Sequence, residues 1–325
     1  MTAKYRTLSP KEAAAALLKL NNPTVIIHAR PDADAVGTGA ALTLALNMLG
    51  IGAALLSPDD IPSRLSFLTD ETPTVREPKL GDAVTVDVAS RAQLGRLSDA
   101  NVTISIDHHA FGTPFADNLT DGNASSAAEV LFEVLCELEK ISSFKTNKKI
   151  AALLYAAMSS DTGGFIYSNA GAKAHVTAAR LIEYGIDFAD INHRLFNSKS
   201  ESLIRAEGYI ASNIKKELDG KIAYATVSKA QRDSLGLKSA DFDTAVDVLR
   251  SLEGVEIALY VRENDDGTLR ASMRSTGFNV ARVAEKFFGG GHTRAAGCSP
   301  VASTAEDGAN QILTEIKKTI TGKGE

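Results

Sequence analysis

The stretch "TVIIHARPDADAVGTGAALTLALNML", Thr24 to Leu49, decides the fold. Its opening "TVIIH" is a short β-branched run, and its close "GTGAALTLALNML" carries apolar residues at helical spacing until Gly50 stops it. A strand feeding a helix through a loop with two aspartates is half of a β-α-β unit. The pattern then repeats. "AVTVDVA" (Ala83 to Ala89) and "NVTISID" (Asn101 to Asp107) read as buried strands. "SSAAEVLFEVLCELEK" and "KKIAALLYAAMSSDTGGF" read as apolar helices, the first capped by Ser125 or Ser126 and the second ending at an Asp-Thr-Gly-Gly turn. Strand–helix alternation predicts an α/β domain built on a doubly wound, mostly parallel sheet.

After Tyr184 the character changes. A stretch of mixed polarity predicts one or two connector helices over 188–216. The remainder, 217–325, predicts a smaller α+β domain. It holds "KIAYATVSK", a helical segment around Asp243 to Leu252, and "VEIALYVREN" and "LRASMRST" joined by a hairpin turn at Asp265-Asp266-Gly267. "NVARVAEKFFGGGHTRAAG" predicts a helix running into a glycine loop, with a final helix near Ala305 to Ile320. At 325 residues the chain is long enough for two such cores. The expected architecture is a domain over 1–187, the linker, and the second domain, with a cleft between them.

Composition narrows the classes of function. A net charge of −5 lacks the basic footprint of a broad duplex-DNA binder, yet allows a small anionic substrate held by a few local charges. Two cysteines are too few for a disulfide framework or a thiolate metal cage. No apolar run approaches the ~20 residues of a membrane span. The N-terminus lacks the pattern of a secretory signal, so a cytoplasmic location is expected.

The chemistry concentrates in "HARPDADAVGTG", His28 to Gly39, directly after a strand. Open α/β sheets place their ligands at such carboxyl ends. His28, Asp32 and Asp34 supply the imidazole and carboxylate donors that suit Mn²⁺, Mg²⁺, Zn²⁺ or Fe²⁺. Asp87 interrupts an apolar run, where an unpartnered charge would cost several kcal/mol. Asp107 ends a strand, His108 and His109 follow it, and Asp161 ends a helix. An aspartate in one such place is ordinarily a cap or turn residue. Six candidates, His28, Asp32, Asp34, Asp87, His108 and Asp161, all fall at element ends of one alternating region, which chance placement does not explain, and paired ions held by such donors are the usual arrangement for phosphoester hydrolysis.

In order, "HARPDADAVGTG", "VDVA", "SIDHH" and "SSDTGGFIYSN" resemble the four motifs of the DHH phosphoesterase superfamily, and "YVREN", "ASMRS" and "GGGHTRAAGC" resemble its DHH-associated domain. Length and linker are most similar to the nanoRNase-type members. Those are two-domain enzymes that degrade very short oligoribonucleotides and, in many members, dephosphorylate 3′-phosphoadenosine 5′-phosphate. The resemblance implies two divalent ions, Mn²⁺ first with Mg²⁺ or Co²⁺ as substitutes. His28 and Asp32 would hold one, Asp34, His108 and Asp161 the other, and Asp87 would bridge them. Arg262 and Arg274 match family positions associated with substrate phosphate or strand-end binding, and beside them the run Gly289, Gly290, Gly291, His292 is a substrate-binding candidate, since glycines let backbone N–H groups approach an anion.

Adjacent residues on an extended chain face apart, which divides the two histidines. His108 is expected to meet metal. His109 is expected to donate to the substrate phosphate, with Asp87 and Asp107 completing the catalytic set and Asp107 acting as an orienting acid. His175 and His193 have no motif partners and predict packing roles. Short single-stranded oligonucleotides and nucleotide phosphates are the expected partners, with no long duplex and no membrane; a homodimer is compatible with the sequence. A phosphodiesterase for cyclic di-AMP or pApA shares every motif, and a non-catalytic nucleotide-binding module is the remote alternative. A RecJ-like exonuclease lacks room for its added domain here, and a family II pyrophosphatase should lack "GGGH".

Overall fold

The computed structural model describes residues 5–320 apart from Leu80 and Asp243, and the side chain of His292 is outside the description. The chain divides into two compact units, Met1–Ser198 and Lys199–Glu325.

In the first unit α1 (Pro10–Leu17) starts at a capping box between Ser9 and Glu12. Five strands follow with helices between them: β1 (Thr24–Ile26), α2 (Ala33–Met48), β2 (Ala54–Leu56), β3 (Ala83–Val86), β4 (Val102–Asp107) and β5 (Asp117–Thr120). Then come α3 (Ala127–Ile141), α4 (Lys148–Asp161), α5 (Ala172–Ile182) and α6 (Phe188–Asn192). The sheet order is β2-β1-β3-β4-β5, and all four pairings are parallel. Two of the strands carry no clear signal in the sequence. β2 has three residues, and β5 reads "DNLT", a polar edge whose Asp117 is gripped by Arg6 at 2.9 and 2.6 Å.

α2 is buried nearly all round, because it lies between the sheet and α4. The glycines of "GTG" make this possible. A Cβ on Gly37 would stand 2.8 Å from the Leu153 carbonyl oxygen, and one on Gly39 would stand 2.7 and 2.8 Å from Leu55 and Ile27. The opposite face of the sheet is covered by a short 3-10 turn, Arg91–Leu97, through Leu94 and Leu97, and by Phe115.

The second unit has α7 (Glu201–Ser212), β6 (Lys215–Glu217), β7 (Ile222–Val227), α8 (Lys229–Ser234), α9 (Ala245–Arg250), β8 (Ile257–Glu263), β9 (Leu269–Ser275), α10 (Val280–Glu285), β10 (Gly290–His292), β11 (Ala295–Cys298) and α11 (Ala305–Ile320). Its sheet order is β10-β11-β9-β8-β7-β6, antiparallel except for β7 with β8. β8 alternates: Leu259 and Val261 pack with α10 and α11, while Ala258 and Tyr260 pack with α7 and α9. The expected hairpin and final helix are present, and the helix expected around Asp243 begins at Ala245; Asp243 itself is outside the described residues. The expected glycine loop is instead β10, an edge strand paired antiparallel with β11. Close approach explains Gly289, just before the strand, and Gly291 within it, since a Cβ on Gly289 would meet the Gly297 carbonyl oxygen at 2.1 Å and one on Gly291 the Ala295 carbonyl oxygen at 2.5 Å; a Cβ on Gly290 would meet nothing within 4 Å. No helix among the described residues is long and apolar enough to cross a membrane.

Candidate metal centre

In a sheet ordered 2-1-3-4-5 the connections diverge between β1 and β3, opening a crevice at the carboxyl ends of those strands. The chain leaving β1 delivers His28 there, and the chain leaving β3 delivers Asp87. Asp87 ends its strand with a left-handed backbone (φ 58°) that a non-glycine residue adopts at a cost of about 1–3 kcal/mol. Its N–H donates to the Ile106 carbonyl at 2.9 Å, which ties that turn to β4.

The buried Asp87 carboxylate divides between two histidines. Its Oδ2 lies 3.4 Å from His28 Nε2, and its Oδ1 lies 3.5 Å from His108 Nε2. In each ring the other nitrogen faces a backbone carbonyl: His28 Nδ1 that of Ala29 at 2.7 Å, and His108 Nδ1 that of Ala124 at 3.4 Å. Both Nε2 atoms are thereby turned into the centre. Asp32 caps α2 by accepting from the Ala35 N–H at 3.0 Å, and its Oδ1 lies 3.7 Å from His28 Nε2. Asp34, inside the first turn of α2, is buried. It accepts from Thr38 Oγ1 (2.9 Å) and from the N–H groups of Ala127 (2.7 Å) and Ala128 (3.2 Å) at the start of α3. Of the two candidate caps Ser126 is the one that caps that helix, while the Ser125 hydroxyl donates to Glu129 Oε2, and the helix start so fixed presents those two N–H groups to Asp34. Asp34 Oδ2 and Asp161 Oδ2 lie 3.9 and 3.7 Å from His108 Nε2.

At this spacing Asp34, Asp87, Asp161 and the two rings titrate away from their ordinary values. Burial opposes charge on His28, but Asp32 and Asp87 overcome it and hold the ring's pKa up at about 11. Against the same burial, Asp87, Asp34 and Asp161 raise His108 to about 10. Burial would raise Asp87, yet the facing His108 and His28 rings keep it well below the usual carboxylate range. Burial, with Asp87 nearby, lifts Asp161 to about 6, and burial with Asp87 and Asp161 pushes Asp34 well above its usual value. The cluster gathers protons because its negative charge exceeds what the chain itself neutralises.

Three three-residue sets, Asp87/His108/His109 and the oxygen-rich His28/Asp32/Asp87 and Asp34/His108/Asp161, have ligand atoms within 4.8 Å of one another. Oxygen-rich sets with one imidazole each fit divalent ions of the Mn²⁺ and Mg²⁺ kind. Asp87 Oδ1 supports the same fit, being buried without a hydrogen bond. An acceptor left in that state costs about 1–3 kcal/mol unless a cation meets it.

The two histidines do not face apart. β4 ends at Asp107, the extended geometry ends with it, and the rings come to 4.7 Å from each other. His109 Nδ1 lies 2.7 Å from Asp107 Oδ1 and 3.7 Å from the same Asp87 Oδ1 that faces His108. Its hydrogen bond to Asp107 raises its pKa. Behind it, a cavity of about 150 Å³ is lined by Ser105, Asp107, Thr113, Phe115, Asn118 and Thr120.

The remaining candidates belong to the second unit. By register Arg262, Arg274, Gly290 and Gly297 share one face of its sheet. Arg262 donates to the Ser239 carbonyl at 3.0 Å, and Arg274 to the Met273 carbonyl at 3.1 Å. Arg270, directly across from Arg262, joins the same face and escaped notice in the sequence. In the first unit Asn169 was also missed as a separate part. Its amide bridges the Ser125 and Asp161 carbonyls at 3.1 Å each, and an asparagine eight residues past an aspartate gives no periodic signal. His175 packs its ring against Phe165.

Residues 23–158 match the DHH family, N-terminal domain, and residues 219–322 match the DHHA1 domain. With the fold and centre described above, the chain belongs to the DHH family and is a phosphoesterase hydrolase. It is 30% identical over 307 residues to the bifunctional oligoribonuclease and PAP phosphatase NrnA of Bacillus subtilis, covering 90% of this chain and 94% of that one. To the protein of the same name from Thermus thermophilus it is 26% identical, covering 92% and 90%. Among solved structures, an exopolyphosphatase-related protein from Bacteroides fragilis superposes with a TM-score of 0.86 at 24% identity, over 96% of this chain and 97% of that one. That likeness establishes the fold.

Proposed function

We propose that this phosphoesterase hydrolyses very short oligonucleotides to mononucleotides, and 3′-phosphoadenosine 5′-phosphate to AMP, at a two-ion centre. The observation that carries the proposal is the division of Asp87, one oxygen toward His28 and the other toward His108. Similarity along nearly the full length to proteins named for both activities supports the substrate class.

His28, Asp32 and Asp87 would hold one divalent ion, and Asp34, His108, Asp161 and Asp87 the other, most simply as Mn²⁺. When bound, such ions polarise phosphoryl oxygens and lower the pKa of water to near neutrality. The rest falls to the chain. Asp87 stays anionic between the two sets and offsets the repulsion of two dications. Asp107 fixes His109 through Nδ1, leaving Nε2 to donate to a phosphoryl oxygen as its charge grows. Arg262 and Arg274 offer guanidinium forks, which grip phosphate in two-point contacts. A reducing cytoplasm suits this reading and both cysteines, which are unpaired.

Rates measured side by side on 3′-phosphoadenosine 5′-phosphate, pApA and cyclic di-AMP test the substrate class. Turnover of the bisphosphate and of pApA is expected to exceed that of the cyclic dinucleotide. Preference for the cyclic substrate would replace this reading with the cyclic di-AMP phosphodiesterase.

A further inference from the structure

The two turns that carry His28 and Asp87 are each distorted, and one residue outside the centre touches both. Arg30, two positions after His28, has φ 56°, and Asp87 has φ 58°, both in the left-handed region that side chains disfavour. Such conformations persist only where surrounding contacts over-determine them. For Arg30 one such contact is Asp59, whose Oδ2 accepts the Arg30 N–H at 2.9 Å.

The other contacts converge on Gln93, in the short turn Arg91–Leu97. Its backbone carbonyl accepts the Ala29 N–H at 2.7 Å. Its side-chain Oε1 accepts the Ala89 N–H at 2.6 Å and the Ser90 N–H at 3.3 Å. Ala29 is the residue whose carbonyl holds His28 Nδ1, and Ala89 follows Asp87 by two positions. The Ala89 carbonyl in turn accepts the Thr113 N–H at 3.0 Å, in the loop that leaves His109. One glutamine thus joins the His28 turn to the Asp87 turn, and through Ala89 to the segment after His109.

A simpler role would be a capping box, since Gln93 stands three residues after the capping Ser90. Both reciprocal bonds of that box are present, but of the two N–H groups that Oε1 accepts the box uses only that of Ser90, and here that bond is the longer. The shorter goes to Ala89, outside the turn. Contact with the His28 loop is also close: a Cβ on Gly95 would stand 3.3 Å from Ala29 Cβ.

We infer that Gln93 is a positioning residue for the centre: its Oε1 holds the Asp87 turn in the register that its backbone carbonyl sets for the His28 turn. The inference rests on the proposed metal reading, and the test separates the two. Mn²⁺ is titrated calorimetrically into wild type, Gln93→Met, which keeps length and loses the acceptor, and Gln93→Glu, which keeps an acceptor. Thermal midpoints are followed in parallel. Gln93→Met is expected to bind Mn²⁺ about tenfold more weakly, the scale typical of residues that orient ligands. It should also lower kcat more than it raises KM, while the thermal midpoint shows that the variant is still folded at the temperature of the titration, and Gln93→Glu should bind Mn²⁺ close to wild type. Wild-type affinity in Gln93→Met, or equal losses in both variants, would overturn the role. Hydrogen exchange at the Ala89 amide of the wild-type protein needs no variant: strong protection is expected, and exchange as fast as an exposed loop amide would overturn it. Failure of the wild type to bind Mn²⁺ would count against the metal reading instead, and the amide would still decide on Gln93.

Discussion

His109 Nδ1 lies 2.7 Å from Asp107 Oδ1, so the second histidine of the pair is anchored by the residue at the end of its own strand. His109→Ala should therefore retain Mn²⁺ and lose turnover by roughly 10²–10³-fold, the usual loss for one donor to a developing charge. Asp107→Ala should retain Mn²⁺ too, with a smaller loss in kcat. The double variant should be no slower than His109→Ala, because both changes remove one unit. Additive losses in kcat, or loss of Mn²⁺ from either single variant, would separate the two residues.

Asp87 faces both histidines whose Nε2 atoms are turned inward, so Asp87→Asn should damage both ion sites together. Loss of both binding steps in Mn²⁺ titration calorimetry is expected, with turnover down by more than about 100-fold, beyond the range for residues that merely orient ligands. Retention of one full-affinity step would show that Asp87 serves a single ion.

Gly37 lets α2 and α4 approach, and an added methyl would stand 2.8 Å from the Leu153 carbonyl oxygen and 3.1 Å from Ala157 Cβ. Overpacking of this kind costs about 1–3 kcal/mol. Urea unfolding of Gly37→Ala should show that loss, although alanine favours helices over glycine. An unchanged or raised midpoint would mean that the two helices part without cost.

Burial pushes the Cys298 thiol up to about 11, and the residue is inaccessible in β11. In a Cys136→Ser background the native protein should react slowly with a thiol reagent at pH 8, and quickly once unfolded. The sign for stability follows. The folded state keeps a proton that the unfolded chain releases near pH 9, so stability contributed by the neutral thiol falls as pH rises from there toward 11. Rapid native labelling at pH 8 would contradict both statements.

The parts of this architecture visible in the sequence are those written into local pattern. His28, Asp32, Asp34, Asp87, His108 and Asp161 all sit where strands or helices end, and the structure gathers them into one cluster. β2 and β5 were invisible because three or four residues at a sheet margin carry little period, and β5 is polar besides. In the sequence the glycine run reads as a loop because glycine signals both a turn and a close backbone approach. Only pairing with β11 distinguishes them. The face-apart rule failed at His108 and His109 because it holds within a strand, and β4 ends one residue earlier. For Gln93 the sequence offers only the Ser-x-x-Gln spacing of a capping box, because its bonds to the Ala89 and Ala29 backbones leave no trace in composition or spacing.

The central claim is that a divalent-ion centre built around Asp87 cleaves very short oligonucleotides. Its most direct test is turnover of end-labelled oligoribonucleotides, from dinucleotides to oligomers about ten times longer, in Mn²⁺ and in EDTA. Fastest cleavage of the shortest substrates is expected, with a steep fall with length and no cleavage in EDTA or by Asp87→Ala. Equal turnover at every length, or activity that survives EDTA or the loss of Asp87, would contradict it.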